Sequence, residues 1–154
     1  MKKASLVLIK QNHKIILGEK KIGEIGVGTL NGPGGKLDPG ETLQDCAARE
    51  TFEELSVTID PSLLELVAIV TFFAAGVPDF EVHIFLTDTF EGELHETKDM
   101  IPGWYPVDNL PFDRMLESDR EWFTKAAQGE KFRANVYYKE RAKGFERIEF
   151  SKLP

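Results

Sequence analysis

The 154-residue sequence has little cysteine and no long apolar segment. Cys46 is its one cysteine, so an internal disulfide is excluded and a reducing, cytoplasmic location is expected. Lys10 interrupts the apolar run near the N-terminus after about six residues, whereas a signal-peptide core needs ~7–15 apolar residues and a membrane span needs ~20. We therefore expect a cytoplasmic protein that does not bind a membrane.

Positive charge is also scarce relative to negative charge. The sequence has 19 Lys and Arg residues against 26 Asp and Glu residues, which gives a formal net charge of -7. Binding to duplex nucleic acid needs a surplus of cationic side chains on one face, so duplex nucleic acid is not an expected partner. An acidic protein can still bind a phosphate ligand if divalent cations lie between the two sets of negative charge.

The remaining composition is that of an ordinary globular protein, with 42% hydrophobic and 29% charged residues. A chain of this length can bury one core but is short for two, so we predict one domain over residues 1–154. The oligomeric state is left open between a monomer and a homodimer.

Hydrophobic periodicity predicts eight strands, over residues 4–10, 14–20, 35–37, 63–75, 79–93, 103–107, 131–140 and 145–151. Turns are expected at residues 11–13, 76–79 and 141–144, and a glycine-rich loop at residues 22–35. Two helices are predicted, each opened by a capping box, from Thr42 to Ser56 and from Ser118 to Gly129. The mixed order of elements predicts an α/β fold, a sandwich of helices around a mixed sheet.

The first predicted helix carries three glutamates on one face. At about 100° per residue, Glu50, Glu53 and Glu54 lie within an arc roughly 100° wide, and Arg49 lies beside it. An apolar stripe elsewhere on the helix is expected to pack against the sheet: Ala48, Thr51, Phe52 and Leu55.

Three neighbouring carboxylates repel one another and lie near the negative end of the helix dipole. A hard divalent cation removes this conflict, and Mg²⁺ takes carboxylate oxygens at ~2.0–2.1 Å, with Mn²⁺ as a substitute. Gly34 and Gly35 would allow the backbone to approach the metal and phosphate groups closely. For the glutamates taken alone, a merely solvated acidic face is the alternative interpretation.

The residues form a stricter pattern, in which Gly35, Glu41, Arg49-Glu50, Glu53-Glu54 and Val57 have fixed spacing. In this pattern the stretch resembles the signature box of the Nudix hydrolases, G-x5-E-x7-R-E-u-x-E-E-x-G-u, where u is apolar. Thr51 departs from it at a packing position. Ser56 departs from it at the end of the helix, where the family has a glycine that favours left-handed backbone.

The resemblance implies a Nudix-type α/β/α sandwich and cleavage of a nucleoside diphosphate linked to another group, with water attacking phosphorus. It implies metal ligands at Glu50, Glu53 and Glu54, with the backbone at Gly34 and Gly35. Among these catalytic residues, Glu53 is the first candidate for the general base, although the base can also come from a loop outside the box.

Two further residues take roles from the resemblance. Arg49 would hold a glutamate by a charged hydrogen bond rather than contact the substrate. Asp99 lies where the resembling proteins have a glutamate that assists a metal or water. A solvated loop acid is the equal alternative for Asp99.

Stretches outside the box resemble the MutT-related branch that hydrolyses oxidised purine nucleoside triphosphates in animals. These stretches are residues 30–41, 81–93, 100–115 and 119–123. In that branch, asparagine and aspartate at the positions of Asn31 and Asp119 hydrogen-bond the purine. This sequence differs in having Leu30 and Leu116 in place of tryptophans and Ser118 in place of a second aspartate.

The candidate substrate-binding residues therefore include Asn31, Leu116, Ser118 and Asp119, together with Lys36 for a phosphate group. Ser118 has the alternative role of helix N-cap, Asp119 that of a first-turn acid, and Lys36 that of a surface residue.

The expected reaction converts a purine nucleoside triphosphate, oxidised or not, to the monophosphate and pyrophosphate. Two alternatives stay open. The first is action on an RNA 5′-triphosphate, a nucleotide sugar or a dinucleoside polyphosphate. The second is a nucleotide-binding module without turnover.

Overall fold

The structure, a computed structural model, describes residues 1–23 and 26–154. Glu24 and Ile25, in the predicted glycine-rich loop, lie outside the described residues. The strands are β1 Lys2–Gln11, β2 Lys14–Lys20, β3 Leu30–Asn31, β4 Gly34–Lys36, β5 Glu65–Ala74, β6 Val77–Thr87, β7 Met100–Pro106, β8 Phe132–Glu140 and β9 Lys143–Ser151. The helices are α1 Leu43–Leu55 and α2 Asp119–Ala127, with short 3-10 turns at Pro61–Leu63, Val107–Asn109 and Phe112–Arg114.

The strands form a mixed sheet, as predicted. Their order is β3-β2-β1-β6-β5-β8-β9, with β4 paired to β1 and β7 paired to β2. The pairs β1–β6 and β5–β8 are parallel, and the others are antiparallel. No helix in the described part of the chain is long and apolar enough to cross a membrane.

Both faces of β1 are buried, which explains its nearly continuous apolar sequence. Leu6 and Leu8 belong to the core that packs under α2, whereas Val7 and Ile9 belong to the core that packs under α1. The two helices therefore cover opposite faces of the sheet, and the predicted α/β/α sandwich is confirmed.

The strand boundaries differ from the prediction around β6. Its hairpin with β5 turns at Ala75 and Gly76 rather than at residues 76–79, because both residues take positive φ (52° and 79°), as a tight two-residue hairpin requires. β6 ends at Thr87 and not at Glu93, and the short β3 was not predicted.

Helix α1 begins and ends as predicted. Thr42 caps its N-terminus, where the Thr42 Oγ1 accepts a hydrogen bond of 3.1 Å from the backbone N–H of Asp45. Ser56 takes the left-handed conformation (φ 63°) and donates its N–H to the carbonyl of Phe52, so serine keeps the geometry that the family pattern gives to glycine.

The predicted apolar stripe of α1 was wrong at Phe52, which is 57% exposed. The buried face follows Ala47, Thr51 and Leu55 at steps of four residues. Phe52 lies one residue further, about 100° around the helix, and therefore points away from the sheet.

The predicted capping box at Ser118 was also wrong. Ser118 has helical backbone angles and no capping hydrogen bond from its side chain. Its hydroxyl instead accepts a hydrogen bond of 2.8 Å from the Tyr138 hydroxyl, and its backbone N–H donates to the same Tyr138 oxygen at 3.0 Å. The Ser118 hydroxyl therefore bonds the buried Tyr138 of β8 instead of capping α2.

Candidate active site

The glycines of the box allow β4 and α1 to approach each other. Gly35 pairs with Ser5 of β1, and a Cβ at Gly35 would overlap the carboxylate of Glu50. A Cβ at Gly34 would overlap the backbone of Ser5. The Gly34 N–H donates a hydrogen bond of 2.7 Å to Oε1 of Glu54. Glycine at position 34 therefore lets β4 pair closely with β1, and glycine at position 35 leaves room for the Glu50 carboxylate.

Arg49 organises the acids from the side of the helix. Its Nε and Nη2 donate to the two carboxylate oxygens of Glu41 at 2.7 and 2.9 Å, and its Nη1 donates to Glu50 at 2.9 Å. The contacts with Glu53 are longer, at 3.4 and 3.5 Å. These hydrogen bonds lower the pKa of Glu41 to about 2 and raise the pKa of Arg49.

Glu54 is the buried member of the acidic face. It is only 9% exposed, and this burial is the main cause that raises its pKa to about 7. The negative charges of Glu50 and Asp99 act in the same direction, while the Gly34 N–H and the positive charge of Lys20 act against it. Burial likewise raises the pKa of Glu50.

Thr97 holds the segment before β7 against the end of α1. Its hydroxyl donates to the backbone carbonyl of Glu54 at 2.9 Å and accepts from the N–H groups of Asp99 and Met100 at 3.2 Å each. Asp99 thereby lies close enough to Glu54 to affect its pKa. One buried oxygen of Asp99, Oδ1, has no hydrogen-bond partner among the described residues.

The donor chemistry fits a hard divalent cation. Glu50, Glu54 and Asp99 supply carboxylate oxygens whose burial and mutual repulsion are relieved by a cation, and the partnerless oxygen of Asp99 is a ready ligand. Within residues 1–23 and 26–154, no three acidic, histidine or cysteine side chains already converge as a complete ligand set. Glu53 is half exposed and only loosely held by Arg49, so its carboxylate can turn toward a cation.

A cleft of about 160 Å³ is lined by residues of β2, β5, β6 and β8. Aromatic side chains supply much of its wall: Phe72, Phe73, Phe80 and Tyr138. Lys20 also lines this cleft, and its positive charge acts on Glu54. Burial is the main cause that lowers the pKa of Lys20. Lys20 therefore connects the aromatic cleft with the carboxylates.

The structure brings only some of the candidate substrate residues into this cleft. Asn31 and Leu116 line it. Ser118 and Asp119 are buried behind it, the first bonded to Tyr138 and the second accepting a hydrogen bond of 3.2 Å from the Leu116 N–H. Lys36 is exposed and lies 5.9 Å from the centre of the Phe80 ring.

Asp119 has an unusual environment for an acid. It is 2% exposed, and burial raises its pKa to about 7, against the weaker opposing effect of the Leu116 N–H. Its carboxyl group can therefore carry a proton near neutral pH and act as a hydrogen-bond donor.

Sequence reasoning missed most of the cleft. Lys20, Phe72, Phe80 and Tyr138 come from four different strands, and none belongs to a local motif. The one available signal was the adjacent pair Phe72-Phe73 at the end of a buried strand, which on its own indicates only core packing.

Comparison with known proteins finds similar sequences over most of the chain. A family model described as the NUDIX domain matches residues 1–126. Proteins of Danio rerio and Mus musculus, each named oxidized purine nucleoside triphosphate hydrolase, are 39% identical over 129 residues. Each match covers 83% of this chain and 81% of the relative.

Solved structures share the fold. A mutator MutT protein from Bacillus halodurans superposes with a TM-score of 0.80 over the whole of both chains, at 18% identity. A MutT NUDIX hydrolase from Burkholderia pseudomallei gives a TM-score of 0.64 at 25% identity, over 71% of this chain and 86% of its own.

Proposed function

Because the chain belongs to the Nudix hydrolase family, we propose that it hydrolyses a purine nucleoside triphosphate, in particular an oxidised one, to the monophosphate and pyrophosphate. Mg²⁺ is the proposed cofactor, and Mn²⁺ its substitute. The observation that carries the proposal is the connection, through Lys20, between an aromatic cleft and the carboxylates of α1. The names of the two animal relatives support the choice of substrate.

The cleft is proposed to hold the base. The flat rings of Phe72 and Phe80 suit a planar purine, and the Asn31 amide can donate to one base atom and accept from another. Asp119 lies behind Leu116, with a pKa of about 7. It is proposed to read the base edge as a neutral carboxyl group after the Leu116 side chain moves aside.

The acidic face is proposed to bind the cation and the phosphates. Glu50, Glu53, Glu54 and Asp99, with the backbone at Gly34 and Gly35, would hold Mg²⁺. The ion, when bound, neutralises phosphate oxygens and lowers the pKa of water.

The protein side chains are proposed to carry out the remaining steps. Lys20 contacts a phosphate oxygen, and Glu53 takes the proton of the attacking water. The new bond joins the water oxygen to phosphorus, and the P–O bond between the nucleoside monophosphate and pyrophosphate breaks. Arg49 keeps Glu41 and Glu50 in place throughout.

A nucleotide panel with Mg²⁺, followed by ³¹P NMR, tests this proposal. The panel contains oxidised and unmodified purine triphosphates, pyrimidine triphosphates, a nucleotide sugar and a dinucleoside polyphosphate. We expect pyrophosphate as the product, faster turnover of purines than pyrimidines, and complete loss of turnover with a chelator. Orthophosphate as the product, or turnover of the nucleotide sugar alone, would contradict the proposal. Tight nucleotide binding with no product would instead indicate a binding module.

The proposal also covers the domain number, the cellular location and the oligomeric state. We infer that residues 1–154 form one domain and act in the cytoplasm, where a reducing environment keeps the buried thiol of Cys46 unmodified. Size-exclusion chromatography with light scattering distinguishes the monomer from the homodimer.

A further inference from the structure

An ion pair at the rim of the cleft has no part in the reaction as proposed above. Arg141 lies in the turn between β8 and β9, and Asp79 lies near the start of β6. Arg141 Nε and Nη2 donate to the two carboxylate oxygens of Asp79, both at 2.7 Å. This short, bidentate ion pair fixes the plane of the guanidinium group.

The fixed guanidinium group lies beside an aromatic wall. Its central carbon is 5.4 Å from the centre of the Phe80 ring, and Arg141, Asp79 and Phe80 all line the same cleft. Planar guanidinium groups stack on aromatic and nucleobase rings, which lysine cannot do in the same way. Arg141 therefore presents a flat, cationic surface to whatever enters the cleft.

The cleft has no tryptophan platform. The sequence has two tryptophans. Trp122 is 2% exposed in the core under α2, and Trp104 lies on β7, beside a different groove lined by Gln11 and Lys14. Leu116, which does line the cleft, offers no aromatic face. Stacking on a base must therefore come from the phenylalanines, Tyr138 or a guanidinium group.

The guanidinium group stays partly open to solvent. The Arg141 side chain is 42% exposed and lines the cleft, so a bound ligand can reach it. Asp79, at 18% exposure, also compensates the charge of Arg141. A compensated guanidinium group suits a neutral base better than a phosphate.

Resting on the function proposed above, we propose that Arg141, oriented by Asp79, stacks on the purine base and is a specificity-determining residue. Asp79 is then a positioning residue that acts through Arg141. Because a larger ring system offers more stacking area, the contact favours purines over pyrimidines.

The first test compares Arg141→Gln and Arg141→Lys with the wild-type protein, using steady-state kinetics and calorimetric binding of the nucleoside monophosphate without metal. Both variants are expected to raise KM and the dissociation constant about tenfold, to change kcat by less than about twofold, and to reduce the preference for purines. Arg147→Gln is the matched control, because Arg147 stacks on Tyr137 at 3.9 Å outside the cleft and should leave all values unchanged.

A charge exchange between Asp79 and Arg141 distinguishes two roles of Arg141. Arg141 either contacts the base or only stabilises the fold through its ion pair. The double variant Asp79→Arg/Arg141→Asp can remake the ion pair with the guanidinium group on the other strand. We expect it to regain the melting temperature but not the wild-type KM.

Two results would overturn the inference: an unchanged KM in Arg141→Gln, or a wild-type KM in the exchanged protein. The proposed function fails separately, if the wild-type protein hydrolyses no nucleotide at all.

Discussion

Replacing Glu53 by glutamine is expected to lower kcat by about 10²- to 10⁴-fold while the protein stays folded. Glutamine has nearly the same shape as glutamate but cannot accept the proton of the attacking water. It also offers a weaker ligand to a hard cation. The Glu53 side chain is 50% exposed and has only long contacts with Arg49, so its replacement should change the free energy of unfolding by no more than about 0.5 kcal/mol.

The measurement is single-turnover and steady-state kinetics at saturating Mg²⁺, with urea unfolding of the same samples. Glu65→Gln is the matched control, because the Glu65 side chain is 55% exposed. Glu65 lies at the start of β5, near Lys131. Turnover near the wild-type rate in Glu53→Gln would rule out Glu53 as general base or essential ligand. The base would then be sought among the remaining acids, Glu50, Glu54 and Asp99.

The second large effect concerns Asp119 and pH. Its pKa lies at about 7 in the folded protein and near its ordinary value of 3.8 when unfolded, so between these values the folded state binds more protons. The stability that the protonated group contributes is complete below about pH 4 and is lost as the pH rises to about 7. At about 1.36 kcal/mol per pH unit, the loss amounts to at most roughly 4 kcal/mol.

Asp119→Asn removes this titration but can still accept the hydrogen bond from the Leu116 N–H. Relative to the wild-type protein, the variant should therefore become more stable as pH rises from 4 to 8, and the difference should level off above about pH 7. Urea unfolding at intervals of half a pH unit measures it. A stability difference for Asp119→Asn that does not vary with pH would show that burial does not raise the pKa of Asp119.

The sequence predicted the box region well because its signals are local. The spacing of Gly35, Glu41 and Arg49 describes contacts within one loop and one helix, and the Thr42 cap lies within a single turn. The nearly continuous apolar run of β1 fits its burial on two faces, with Leu6 in one core and Val7 in the other.

The cleft could not be predicted in the same way, because strand pairing assembles it. Phe80 meets Phe72 through the register of β5 and β6, and Arg141 meets Asp79 across 62 positions of sequence. Ser118 shows the same limit, since its local pattern predicted a helix cap. A tyrosine 20 residues away takes its hydroxyl instead.

The central claim is that a divalent cation makes the crowded carboxylates of α1 tolerable, and thermal unfolding during a Mg²⁺ titration tests it most directly. The wild-type melting temperature should rise with the logarithm of Mg²⁺ concentration, because the ion binds the folded protein preferentially. The variant Glu50→Gln/Glu54→Gln should show no such rise. The account would be contradicted if the wild-type melting temperature did not change with Mg²⁺ concentration and the protein released no pyrophosphate.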